Sequence, residues 1–277
     1  MSESSFFLKP GQGIYDDFST AEPIVGTSVP ATGQEVFTIA YIKVSCETCE
    51  HHFDSGPGYD YCIGTIITNK HIITSASCIN DKPVGRIQVC GRLVSGKCGS
   101  IYDVSSSVTF EEWVNQYGSA RPDITNDIAI ITLSKNIDKS YMERARLSFK
   151  KNEDLYEKNA AIVGWKNGRS LHKADVKIIS PGECKIRRGE MSEFEIGKLS
   201  KETLCTWTRP HSLLDCDDDG SPLLSSNGAV IGVSLGNCLH DIPDIFHGAK
   251  VNIHANIYFY RKFIKAVTAG EKLLEEN

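Results

Sequence analysis

Short apolar runs separated by turn-forming residues recur along most of the chain. Val36–Val44, Tyr61–Ile67, His71–Ser75, Ile87–Leu93, Ile128–Leu133, Ala160–Trp165, Val176–Ile179 and Val230–Leu235 have the length and content of strands. Gly, Pro, Asn and Asp clusters punctuate them. Many short strands spread over about 240 residues predict antiparallel barrels or sandwiches. The end of the chain differs. Across Ala255–Ala269, Ile257, Tyr260, Phe263, Ile264 and Val267 recur at helical spacing, which predicts a terminal helix with one face on the body. Gly270 is its expected stop, and Glu271–Asn277 is expected to fray. No repeat of the solenoid kind occurs.

Composition narrows the class. With 277 residues, 40% of them apolar and 23% charged, the chain is globular and long enough for two modest subdomains that share an interface. Its net charge of −5 gives no global basic field for nucleic acid. No run approaches the roughly 18 apolar residues of a membrane span. The 10 cysteines stand at positions 46, 49, 62, 78, 90, 98, 184, 205, 216 and 238. An even count points to a disulfide framework and an oxidising, extracellular setting. Met1–Asp17 offers only Phe6-Phe7-Leu8 as an apolar cluster, which is no signal-peptide core, and no N-x-S/T sequon occurs.

A series of motifs carries a resemblance, in order. Ile24-Val25-Gly26-Thr27 is similar to I-V-G-G. Cys62–His71 followed by Ile72-Ile73-Thr74-Ser75-Ala76-Ser77-Cys78 is similar to C-G-G-S-L-I-x-x-x-W-V-L-T-A-A-H-C. Asn126–Ile131 resembles N-D-I-A-L-L, and Ile162-Val163-Gly164-Trp165 resembles V-x-G-W-G. Cys216–Leu223 resembles C-x-G-D-S-G-G-P-L, and Ile231–Gly236 resembles G-I-V-S-W-G. Tyr260–Ile264 resembles the terminal Y-x-x-W-I. Together they resemble the trypsin-like serine protease family from about Ile24 to Val267. The resemblance implies an all-β fold of two antiparallel barrels with a C-terminal helix. It divides the chain into an extension at 1–23, a protease-like domain at 24–268 and a tail at 269–277. Within the domain the barrels fall at about 24–135 and 150–254, and the helix at 255–268.

In that family a serine attacks, an imidazole takes its proton and a carboxylate orients the imidazole. The resemblance places Asp127 at the carboxylate and Ser77 at the imidazole. The nucleophile segment is one residue short. Aligned back from Pro222-Leu223, Asp219 stands at the serine and Asp218 at the aspartate before it; aligned forward from Cys216, Gly220 takes the serine's place. Neither supplies a hydroxyl, and Ser221 is expected to be a turn residue before proline. Glu22-Pro23 precedes Ile24, where the family is cut after a basic residue, so a zymogen-like state is expected. Leu214, Leu235 and Gly236 are what remains of a specificity pocket, near Val251 and Asn252, and none is acidic.

Family-matched disulfides are Cys62–Cys78, Cys184–Cys205 and Cys216–Cys238. Cys90 and Cys98 suit a local staple, and Cys46–Cys49 a tight loop bridge. Zinc on Cys46, Cys49, His51 and His52 would instead describe a cytosolic module. The run Asp215–Gly220 imitates an EF-hand opening but has Ser226 at its twelfth position, and a serine-type endopeptidase with a non-standard site, or a hydrolase assisted by a metal at this run, is a further alternative. His71 reads as a strand residue, and Lys185–Arg188 as a solvated loop or a site for an acidic partner. The expected function is that of a catalytically inactive protease homologue. It would be a monomer that binds a protein partner as decoy, cofactor or regulator, with no cofactor, metal, nucleic acid or membrane involved.

Overall fold

The computed structural model describes residues 25–45, 59–94, 97–117, 127–166, 170–188, 201–215, 218–235 and 251–276. The strands are β1 (Val25–Gly26), β2 (Val29–Pro30), β3 (Ile39–Ser45), β4 (Tyr59–Ile66), β5 (His71–Thr74), β6 (Ile87–Val94), β7 (Lys97–Thr109), β8 (Ala129–Leu133) and β9 (Arg146–Leu147). They continue with β10 (Asn159–Lys166), β11 (Ser170–Ile179), β12 (Thr203–Trp207), β13 (Ser212–Leu213), β14 (Pro222–Ser225), β15 (Val230–Ser234), β16 (Val251–Asn256) and β17 (Leu274–Glu275). The first barrel closes in the order β3-β4-β5-β8-β7-β6. The second runs β14-β10-β11-β12-β16-β15 and closes where β14 pairs with β15.

The burial pattern explains why the first part of β3 reads as a continuous apolar run. On β3, Ala40, Ile42 and Val44 fill the barrel interior, while Ile39 and Tyr41 face the second barrel. A strand covered on both faces has no polar side to alternate with. The same division gives the second barrel its own interior, with Ile162, Val176, Ile178, Leu204 and Ile231. Between the barrels lies a third cluster in which the rings of Tyr41 and Trp165 stand 4.5 Å apart.

Among the described residues, five short helices decorate the barrels: α1 (Gln34–Phe37), α2 (Phe110–Tyr117), α3 (Asn152–Leu155), α4 (Pro181–Arg188) and α5 (Arg261–Val267). The predicted terminal helix is shorter than its spacing suggests. Residues 255–256 complete β16, where Ala255 pairs with Thr203 of β12, and the helix starts only at Arg261. The positions expected on its apolar face are buried even so, Ile257 and Tyr260 ahead of the helix and Phe263 and Ile264 on it, and Phe263 meets Phe110 at 5.5 Å and Trp113 at 5.7 Å. α5 thus laces the second barrel to the first.

The tail corrects an expectation. Residues 274–275 do not fray but add β17 in parallel beside β9, and the Glu276 N–H donates to the Leu147 carbonyl at 2.8 Å. Glu276 also receives Lys150 at 3.1 Å, and hydrogen bonds from Ser148 and Asn227 help hold its carboxyl down at about 2. The apolar-run reading overlooks this because two paired residues leave no hydropathy signal.

Two groups predict acid sensitivity. His254 is fully buried, with Nε2 3.0 Å from Thr206 Oγ1, and burial lowers its pKa from 6.5 to about 3. Above pH 6.5 it is neutral whether folded or not and contributes nothing. Below that, the unfolded chain takes up a proton that the folded chain refuses until about pH 3, so stability falls with pH through this window. Glu276 is depressed from 4.5 to about 2, and its contribution is lost as pH falls through that range. The expected loss from His254 is roughly 3 kcal/mol at about pH 4.5. Urea midpoints measured against pH check it: His254→Gln should flatten the slope below pH 6.5. An unchanged slope would remove His254 as its cause.

Candidate functional site

The cleft between the barrels assembles from three local structures. In the first barrel, β5 pairs with β8, Thr74 opposite Ala129. That pairing sets the turn after β5 beside Asp127, two residues before β8. A disulfide from Cys78 to Cys62 on β4 anchors the turn. The Ser77 N–H donates to Asp127 Oδ1 at 2.6 Å, and Ser77 Oγ lies 3.1 Å from Asp127 Oδ2.

The second barrel supplies the 218–221 turn. It is threaded through the first barrel's backbone: the Ile63 N–H donates to the Asp219 carbonyl at 2.8 Å. Gly220 and Ser221 are tied to β15, through the Gly220 N–H to the Ser234 carbonyl and the Ser234 N–H to the Ser221 carbonyl. Gly220 has φ +79°, and a Cβ there would fall 2.1 Å from Thr74 Oγ1 and 2.2 Å from the Ile63 carbonyl. This close approach decides the open alignment: Asp219, not Gly220, faces Ser77, with Asp219 Oδ2 2.9 Å from Ser77 Oγ. Ser75 Oγ, at 3.1 Å, completes the surroundings of that hydroxyl. Sequence reading did not single out Ser75, although its place two residues before Ser77 was the signal.

Asp218 points the other way. It is fully buried, and its carboxylate accepts the Trp165 N–H at 2.7 Å and the Asp215 N–H at 3.1 Å. Gly164 makes room for it, since a Cβ there would sit 2.7 Å from Asp218 Oδ1. The N-terminal strand beside this site is docked rather than loose. Val25 pairs with Leu213 and Gly26 with Ser212, and the Thr27 N–H donates to the His211 carbonyl. These pairings do not bear on the expected zymogen-like state, which turns on the Ile24 ammonium. Ile24 itself lies outside the described residues.

The pocket residues are partly in view. Leu214 is buried, and its N–H donates to Asn252 Oδ1 at 2.8 Å, while Asn252 Nδ2 donates to the Ser212 carbonyl at 3.0 Å. Asn252 thus ties β13 to β16 across the base of that region. Leu235 is half-buried and bonds through its N–H to the Ile253 carbonyl. Gly236 lies outside the described residues, as do Cys46, Cys49, His51, His52, Cys216, Asp217 and Cys238 with their two expected bridges. Cys90–Cys98 and Cys184–Cys205 are bonded, and no described cysteine is free.

The remaining candidates are not drawn into the cleft. His71 bonds Thr68 Oγ1 through Nδ1 at 2.7 Å near the tail residue Glu271, and burial lowers its pKa. Lys185 is exposed; Arg187 pairs with Glu183 at 2.6 Å and lies 3.8 Å over the Trp207 ring, on a helix rather than a loop. Among the described residues, no cluster of three or more His, Cys, Asp or Glu is placed to hold a metal. The centre can therefore bind and exchange a proton between one hydroxyl and two carboxylates, and no imidazole stands among those three side chains.

Comparison with known proteins agrees with this architecture. The sequence profile of the family described as Trypsin matches residues 47–254. The chain is 25% identical over 186 residues to trypsin delta of Drosophila erecta, covering 64% of this chain and 68% of that one. It is 25% identical over 240 residues to a venom serine protease of Polistes dominula, covering 76% and 77%. Among solved structures, the scabies mite inactivated protease paralogue S-D1 superposes with a TM-score of 0.65 at 14% identity, covering 89% of this chain and 98% of that one. Its relative S-I1 gives 0.64 at 17% identity, covering 86% and 98%. With two closed barrels, a cleft between them and a profile match over well over half its length, this chain belongs to the trypsin family of serine protease domains.

Proposed function

We propose that this trypsin-family chain has given up serine-protease chemistry and works by binding another protein, as a decoy, cofactor or regulator. One observation carries the reading. Where the mechanism needs a base and a nucleophilic hydroxyl, the Ser77 hydroxyl meets two carboxylates, 2.9 Å from Asp219 and 3.1 Å from Asp127. A serine cannot accept a proton near neutral pH, and a carboxylate at the nucleophile repels a developing oxyanion. The likeness to two structures described as inactivated protease paralogues supports it. The disulfides support a site of action outside the cell. We take the protein to be a monomer with an unidentified protein partner and no cofactor.

The expected result is catalytic silence. A serine-directed fluorophosphonate probe leaves the purified protein unlabelled, and broad peptide libraries stay uncut. Stoichiometric labelling of any serine would overturn the reading. Capture from the native fluid on immobilised protein should then name the partner.

A further inference from the structure

The tail after α5 touches both barrels and the linker that joins them. Glu271 Oε2 accepts the Asn69 N–H at 3.2 Å, in the turn between β4 and β5 of the first barrel. The Lys272 carbonyl accepts Arg144 Nη1 at 3.1 Å, in the linker ahead of β9. Leu273 packs against the apolar cluster between the barrels. Leu274 and Glu275 pair along β9. Glu276 Oε1 then accepts Asn227 Nδ2 at 2.6 Å, in the turn between β14 and β15 of the second barrel. Residues 271–276 thus run from a turn of one barrel to a turn of the other.

Those two turns are the outer ends of the hairpins that carry the centre. β5 leads from His71, beside Asn69, to Thr74, just before Ser77. β14 leads from Pro222, just after Asp219, to Ser225 at the Asn227 turn. Backbone bonds brace each turn, the Ile67 N–H to the His71 carbonyl at 2.9 Å and the Gly228 N–H to the Ser225 carbonyl at 2.8 Å. A displacement at either turn is therefore carried down its strands rather than absorbed. At the inner ends the barrels meet through the Ile63 N–H to Asp219 carbonyl bond of 2.8 Å and the 2.9 Å contact of Ser77 Oγ with Asp219 Oδ2.

We propose that residues 271–276 form a strap that keeps the two halves of the centre in register: by fixing the outer ends of the β4–β5 and β14–β15 hairpins, it sets where their inner ends bring Ser77 and Asp219. Both anchors are charge-assisted, and such bonds are about twice as strong as neutral ones. At the second anchor the Glu276 carboxylate also takes Lys150 at 3.1 Å, and its N–H donates to the Leu147 carbonyl at 2.8 Å. Hydrogen bonding from Ser148 and Asn227 keeps that carboxyl ionised down to about pH 2. The tail thereby gains a role at the cleft. Cleavage of it, or a partner that pulls Leu274 and Glu275 off β9, loosens the centre without touching it.

The strap acts whether or not the cleft meets a partner. Its test is amide hydrogen exchange by NMR on the full chain, for wild type, Glu271→Ala, Glu276→Ala and the double variant. The reporter is the Ile63 N–H, bonded across the barrels. The controls are the Ile66 N–H, bonded to the Thr38 carbonyl within the first barrel, and the Ile178 N–H, bonded to the Lys158 carbonyl within the second. Each single variant should speed exchange at Ile63 about tenfold or more relative to both controls. The double variant should add little, because a strap loosed at one end no longer ties the barrels. Anchors with no shared partner would otherwise add. Additive effects, no change at Ile63, or equal acceleration at the controls overturns the strap. Wild type alone decides the matter should a variant fold poorly. Its Asn69 N–H, held by Glu271, should exchange no faster than its Ile63 N–H once intrinsic rates are removed. A much faster Asn69 would mean that the tail opens without releasing the centre, which also overturns the strap.

Discussion

Gly220→Ala should destabilise the protein by about 4 kcal/mol or prevent folding altogether. Two costs combine there. The backbone has φ +79°, which a side chain rarely adopts, and this alone costs about 1 kcal/mol. The larger cost is space. The new Cβ would lie 2.1 Å from Thr74 Oγ1 and 2.2 Å from the Ile63 carbonyl oxygen. Those atoms are the two ends of a buried hydrogen bond, 2.8 Å long, so neither can retreat without leaving the other unpaired. Gly228 is the control. It has φ +78°, but nothing lies within 4 Å of where its Cβ would stand, so Gly228→Ala isolates the backbone cost. Urea denaturation of both variants decides the matter: equal losses would mean that the turn is not wedged between the barrels as described.

The double substitution Ser77→His with Asp219→Ser should remain at least about 100-fold to 1000-fold slower on an ester substrate than a working protease. The failure should not come from the base. Asp127 already accepts the N–H of residue 77 at 2.6 Å and could orient an imidazole placed there. It should come from the backbone that must receive the oxyanion. The segment between Cys216 and Gly220 is one residue short of the family's pattern. On its far side the Asp218 N–H is committed to the Asp215 carbonyl at 2.9 Å. One missing oxyanion donor accounts for a loss of about 3–4 kcal/mol in the barrier. Ser77→His alone should do nothing, because a base without a nucleophile has nothing to activate. A double variant that hydrolyses the ester at ordinary protease rates would show that the loss lies in two side chains on an intact site.

Several elements escaped the apolar-run reading although local signals marked them. α2 opens with Thr109 and Glu112, whose reciprocal bonds of 2.7 and 3.1 Å form a capping box. α4 opens with Ser180-Pro181, and Ser180 Oγ accepts the Glu183 N–H at 3.2 Å. β7 was invisible for another reason. Its outward positions carry Ser and Asp, so hydropathy alone reads Lys97–Thr109 as a loop, and only its pairing with β6 and β8 makes it a strand.

By itself the sequence determined the class of fold and the chemistry available to the centre. Strands buried on two faces read as near-continuous apolar runs, so the barrels are written into segments such as Ile39–Ile42 and Ile128–Ile131. The residue types at 77, 127 and 219 likewise set which protons and charges the centre can hold. The tertiary structure alone decided which residue meets Ser77. Two alignments of the shortened loop were equally good along the chain. They separate only because Gly220 must fit against Thr74 and Ile63, leaving Asp219 to face the first barrel. It also decided that the tail is a strand and that one hydroxyl stands between two carboxylates. Such facts depend on distances between segments far apart in sequence, and no local pattern of apolar and polar residues encodes them.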